Sequence, residues 1–124
     1  MANIIVSFVP ENNLTIFTVE GDLSSDEILA HTTKYYIENP TKLVLWDASK
    51  GSVKIITAND FRNIANKMKT QTEKREGGKT AIVGKFDIDF GSARMYEAYT
   101  DMEALKVTYK VFRDTDEAIK WLKT

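Results

Sequence analysis

Leu43-Val44-Leu45-Trp46 places apolar residues side by side, without the polar alternation of a strand that has one wet face. A strand of this kind needs cover on both faces, which in a small domain means helices on both sides of a largely parallel sheet. Thr80 to Gly84 is a second short apolar strand, and Val107 to Phe112 a third, with β-branched and aromatic content. At the start, Ile4 to Val9 and Leu14 to Glu20 flank the turn cluster Pro10-Glu11-Asn12-Asn13, which reads as a β-hairpin. Helical patterns fill the gaps. Ser24 or Ser25 caps a first helix with Asp26 and Glu27 in its first turn; Ile28, Thr32, Tyr35 and Tyr36 share one face, and Asn39-Pro40 ends it. Asp47 to Ser52 reads as a loop. Thr57 caps a second helix in which Phe61, Ile64, Ala65 and Met68 recur at i, i+3, i+4 and i+7. Lys67, Lys69, Lys74 and Arg75 favour its carbonyl end and Gly77-Gly78 stops it. A third helix spans Phe90 to Leu105, with Met95, Ala98, Tyr99 and Met102 on one stripe. Asp114 or Thr115 caps a fourth, which buries Ala118, Ile119 and Leu122. The order is β-β-α-β-α-β-α-β-α, an α/β fold with right-handed crossovers and one antiparallel edge strand.

The bulk properties close off several functions. The 124 residues suit a single domain spanning residues 1–124. With 43% hydrophobic and 28% charged residues the chain is expected to be globular and soluble. Its 17 basic and 18 acidic residues leave a net charge of −1, no general attraction for nucleic acid or an anionic membrane. No cysteine excludes disulfides and thiolate chemistry, and one histidine, His31, excludes a multi-histidine zinc site within one chain. No signal peptide or membrane-spanning run is visible, so a cytoplasmic location and no integral membrane association are expected.

The most legible block is the closing strand–helix–strand–helix unit from Lys79 to Thr124. Thr80-Ala81-Ile82-Val83, then Phe90-Gly91 with Arg94-Met95 and Glu97-Ala98, then Val111-Phe112-Arg113-Asp114, then Glu117-Ala118 and Trp121-Leu122 resemble the bacterial SpoIIAA-like family. Those small proteins are distant relatives of the STAS domain, the fold of anti-anti-sigma factors. The motifs cover the last third of the chain and the element order fits all of it. The resemblance implies a mixed four- or five-stranded sheet flanked by helices, and no established activity. STAS regulators place a phosphorylatable serine at the start of the helix after the central strand, where free N–H groups hold a phosphate. Here that segment is Ile56-Thr57-Ala58-Asn59-Asp60-Phe61. The switch position falls at Ala58 or Asn59, and the nearby hydroxyl, Thr57, reads as a helix cap.

Other constellations carry less. Gly78-Lys79-Thr80 ends like a phosphate-binding loop, but Glu73 stands where the first glycine belongs and the order is helix then strand. Asp87 and Asp89 help begin the third helix, and Glu97 and Asp101 lie a turn apart on a solvated face; no metal site is expected. Residues after parallel strands gather at the carboxyl edge of the sheet, where open α/β folds bind ligands. Asp47, Ser49, Thr57, Lys85 and Arg94 are candidates for a shared pocket there, or simply loop polar groups and caps. Gly91, early in a helix, suggests close backbone approach or room for a group, with Arg94 free to bind an anion or a partner carboxylate. The structural reading, which the residues favour, is that Gly91 permits tight helix–sheet packing and Arg94 pairs with an aspartate such as Asp87. His31 reads as a surface or interface residue. The expectation is a non-enzymatic regulatory or protein-interaction module of STAS type without the serine switch and without cofactors, self-associating through an exposed helix face. The alternative is a carrier of a small apolar ligand or lipid, with a pocket between the sheet and the third helix. An enzyme stands third, for want of a nucleophile–base pair or metal set.

Overall fold

The apolar run at Leu43 opens the central strand of a five-stranded sheet. The computed structural model describes residues 2–124. In chain order the elements are β1 (Asn3–Val9), β2 (Leu14–Asp22), α1 (Ser25–Glu38), β3 (Leu43–Ser52), α2 (Ala58–Gln71), β4 (Lys79–Val83), α3 (Asp87–Met102), β5 (Thr108–Phe112) and α4 (Thr115–Leu122), with 3-10 turns at Pro10–Asn12 and Thr72–Arg75. The strands lie side by side in the order β1-β2-β3-β4-β5. β1 runs antiparallel to β2 and every other pair is parallel. This is the expected element order, with five strands rather than four.

Helices cover both faces, as the unbroken apolar strands require. On one face Val19, Phe61, Ile64, Ala65 and Tyr96 join the sheet to α1, α2 and α3. On the other, Leu45, Ala81 and Val83 pack against Ala118 and Leu122 of α4. Phe17 of β2 stacks on Trp46 of β3 with ring centroids 4.3 Å apart, so neighbouring strands share an aromatic layer under α1. The helix starts follow their capping residues. Ser24 and Glu27 make a reciprocal capping box on α1, and Thr57 and Asp60 make one on α2. Asp114 caps α4 through the Glu117 N–H. The second helix buries the expected face: Phe61, Ile64, Ala65 and Met68.

Four expectations are corrected. Asp47 to Ser52 is not a loop: β3 continues through Ser52, held by pairing of Lys50, Gly51 and Ser52 with Glu20, Gly21 and Asp22 of β2. β4 pairs only with Leu43–Asp47, so β3 overhangs it by roughly 16 Å. The third helix starts three residues early, at Asp87, and ends at Met102. Its buried face is Asp89, Ala93, Tyr96 and Thr100, while Ala98 and Met102 are exposed. Apolar residues surround this helix, so several stripes fit its sequence, and packing against β5 and α2 selects one. Finally, Arg75 does not lie on a solvated carbonyl end.

Arg75 is buried, and all five of its N–H groups are used. Nε donates to the Thr41 carbonyl at 2.6 Å, Nη1 to Tyr36 Oη at 3.3 Å and Thr80 Oγ1 at 3.0 Å, and Nη2 to the carbonyls of Lys42 at 3.1 Å and Lys79 at 2.9 Å. No carboxylate pairs with it among the described residues. Gly77 and Gly78 make this cage possible. Gly77 turns the chain in the left-handed region at φ 81°, and a Cβ on Gly78 would collide with the Lys42 carbonyl. No helix among the described residues is long and apolar enough to cross a membrane.

Replacing Arg75 leaves several buried acceptors unpaired, each costing about 1–3 kcal/mol. Arg75→Ala is expected to lower unfolding free energy by about 3 kcal/mol or more in urea titration. Arg75→Lys should recover only part of that loss, because an ammonium cannot serve five acceptors in a planar fork. A loss within about 0.5 kcal/mol for either variant would refute the cage as a stabilising element.

Candidate functional site

The carboxyl edge of the sheet is organised by a buried carboxylate that is not among the expected site residues. Asp89 sits in the first turn of α3 with almost no exposure. Its Oδ1 accepts from Ser52 Oγ at 2.8 Å and from the Val53 N–H at 2.9 Å. The overhanging end of β3 is thereby tied to the start of α3. Gly84 makes the approach possible: a Cβ there would lie 2.9 Å from the Asp89 carbonyl carbon and the Phe90 nitrogen. Close packing of helix on strand is therefore a property of Gly84, not of Gly91.

On the solvent side of this tie stand three large apolar residues. Ile55 follows the overhang and is 52% exposed; Phe86 and Ile88 flank the start of α3 and are each 59% exposed. Charges ring them in both signs. Lys54 pairs with Asp22 at 3.9 Å, Arg113 pairs with Asp87 at 2.7 Å and stacks over Phe90, and Lys85 lies over the Phe86 ring. Sequence reasoning missed both the buried Asp89 and this patch. The available signal was Phe86 and Ile88 interleaved with Asp87 and Asp89, a pattern that puts every second residue at odds with a single helix face.

The expected site residues are not gathered into one pocket. Asp47 Oδ1 accepts from the Ser49 N–H at 3.0 Å and from Thr115 Oγ1 at 3.3 Å, so it serves the α4 side of the sheet. Thr57 Oγ1 accepts from the Asp60 N–H at 3.0 Å as the cap of α2. Ala58 and Asn59 are exposed in the first turn of that helix, where the resemblance places the switch. Lys85 is exposed after β4. Arg94 pairs with Glu97 at 3.2 Å on the α3 surface, not with Asp87. Gly91 is exposed, and a Cβ there would meet nothing within 4 Å, so neither tight packing nor close backbone approach explains it.

Between the sheet and α1, α2 and α3 lies a cavity of about 80 Å³. Phe17, Trp46, Phe61 and Ala93 contribute apolar walls, and Arg75 with Tyr36 supplies a polar corner. Burial pushes the Tyr36 phenol up, with Arg75 pulling the other way; burial also pushes up Tyr96 and Tyr109. These hydroxyls therefore keep their protons at neutral pH. No group of three or more acidic or histidine side chains gathers as a metal site among the described residues.

No protein-family model and no curated protein matches the sequence. Solved structures do match the fold. An uncharacterised DUF3478-family protein with a SpoIIAA-like fold from Shewanella loihica PV-4 aligns at TM-score 0.58 and 16% identity, over 98% of this chain and 93% of that one. The fold is SpoIIAA-like. The anti-sigma factor antagonist SpoIIAA in its unphosphorylated form aligns at TM-score 0.52 and 10% identity, over 96% of each chain. Within this SpoIIAA-like architecture the Asp89 tie joins the end of β3 to the start of α3.

Asp89→Ala strands the Val53 N–H and the Ser52 hydroxyl, and is expected to cost about 1–3 kcal/mol. Asp89→Asn keeps an accepting oxygen and should cost less. Amide exchange read at Val53 checks the assignment: it should accelerate in the alanine variant and stay slow in the asparagine one. Equal acceleration in both would show that the bond to Val53 is not what holds the loop.

Proposed function

We propose that this chain is a non-enzymatic protein-interaction module of STAS type, acting as a regulatory binding partner without a serine switch. The observation that carries the reading is the exposed apolar patch of Ile55, Phe86 and Ile88 on a rigid tie at the carboxyl edge. Apolar side chains rimmed by charge mark a protein-docking surface. The mixed signs of the rim favour a protein over a nucleic acid or an anionic membrane. The SpoIIAA-like fold supports the same reading, since SpoIIAA is itself described as an anti-sigma factor antagonist. Ala58 and Asn59 lack a hydroxyl to phosphorylate, so binding in this reading is constitutive. A cytoplasmic, bacterial setting belongs to the proposal.

The triple variant Ile55→Ser, Phe86→Ser, Ile88→Ser should fold, because all three side chains are already exposed. Crosslinking in the source cell is expected to yield a partner with wild type and to lose it at least about tenfold with the triple variant, while Ile37→Ser, on the exposed face of α1, keeps it. Equal recovery with wild type and the triple variant would refute this surface.

The cavity favours a second reading, a small apolar ligand with one hydrogen-bonding end held by the protonated phenols beside Arg75. Native mass spectrometry of the purified chain should then show retained mass, and Ala93→Leu, which fills the cavity wall, should remove it. An unliganded wild-type spectrum, with the protein as stable as Ala93→Leu, would exclude the carrier reading.

A further inference from the structure

The sheet has two edges, and they are built differently. At β5 the outer strand carries Lys110 and is flanked by Lys106 and Arg113. Charged edge residues of this kind discourage pairing with another chain. At β1 no such guard exists. Asn3-Ile4-Ile5-Val6-Ser7-Phe8-Val9 contains no charge and no proline, and its register with β2 runs from Asn3↔Glu20 to Val9↔Leu14 without a bulge. Every second residue of β1 turns its N–H and C=O away from β2. Ile5, Val6 and Phe8 are about half exposed. Between β1 and α1 a groove of about 330 Å³ lies open, lined by Val6, Phe8, His31, Lys34 and Glu38.

We propose that the chain pairs with a second copy of itself through the β1 edge, antiparallel about a two-fold axis at Val6. The occupant follows from self-complementarity. The register that uses all seven β1 residues sets Val6 against Val6 and Ile4 against Phe8 of the second copy. Ile4, Val6 and Phe8 share the α1 side of the sheet, so this side of the joint becomes an unbroken apolar ladder. On the other side Ile5 meets Ser7 and Asn3 meets Val9. The two α1 helices then run in opposite directions across the grooves, which carries Lys34 of each copy toward Glu38 of the other. Neither residue has an ion-pair partner within the chain among the described residues. Pairing also closes the edge in both copies at once, leaving a ten-stranded sheet whose ends are the two lysine-guarded β5 strands. The sequence points to self-association through a helix face; the proposal sets it on a strand, where the open hydrogen-bonding groups lie. The proposal is independent of the Ile55–Phe86–Ile88 surface.

Sedimentation velocity over a low-to-high micromolar series tests it. Wild type should convert to a species of twice the mass. Val6→Lys and Val6→Glu, each placing like charges directly opposite across the axis, should each weaken the dimer at least about tenfold. An equimolar mixture of the two should restore it, because residue 6 faces itself. Amide exchange in wild-type β1 should slow with concentration, a readout that needs no variant. A wild type that stays monomeric, a Val6→Lys protein that still dimerises, or a mixture that stays monomeric overturns the pairing. The triple variant of the carboxyl-edge patch should dimerise like wild type; if it does not, the joint lies at that patch and the β1 proposal fails.

Discussion

The arrangement of this chain depends on a cation buried without a counter-ion. Arg75 reaches Tyr36 on α1, the Thr41 and Lys42 carbonyls that lead into β3, and Lys79 and Thr80 at the start of β4. An arginine placed there in a looser cage would carry a desolvation cost of several kcal/mol. With every donor satisfied, the same group forces a helix end and two strand entries into one geometry. A planar fork of five donors suits this task, because the acceptors come from three segments. Thr41 extends the knot, since its hydroxyl meets Thr15 of β2 at 3.0 Å and its backbone N–H donates to Tyr35 Oη. The amino ends of the parallel strands are thus aligned by polar chemistry, while the apolar layers above and below supply the bulk of the burial.

Much of this was readable from residues alone, and the reasons differ by element. In α2 the capping residue, the acidic first turn and the i, i+3, i+4, i+7 apolar set all point to one face, so local and tertiary preferences agree. In α3 they do not. Ala93, Met95, Tyr96, Ala98, Tyr99 and Met102 spread apolar character around the helix, and the true face is decided by what packs on it. By its sequence neighbours, Lys74 and the nearby lysines, Arg75 resembles a carbonyl-end cation. Its burial rests on carbonyls more than thirty residues away in sequence, which no local pattern encodes. The second half of β3, Asp47 to Ser52, is polar and loop-like in composition, although pairing with β2 holds it extended.

The candidate site shows the same division more sharply. Fold geometry brings the polar residues after parallel strands to one edge. Here each spends its polar group locally: Thr57 on its own helix cap, Arg94 on Glu97, Asp47 on Ser49 and Thr115. What distinguishes the edge is apolar and exposed, and exposure is a property of the folded surface that composition does not carry. The Ile55–Phe86–Ile88 patch and the bare β1 edge both belong to that class.

β3 begins two residues after Thr41, whose carbonyl is held by Arg75, and ends at Ser52, whose hydroxyl is held by Asp89. The central strand is therefore pinned at both ends, like a beam fixed in two walls, whereas β1 pairs along one edge only, with β2, and is tied at its start by the Ala2 N–H to Glu27 of α1. Opening fluctuations of the folded chain must follow that contrast. β1 peels away at low free energy, and β3 gives way only when both walls fail, so the strand at the middle of the sheet reports global unfolding and the strand at its margin reports the first partial one.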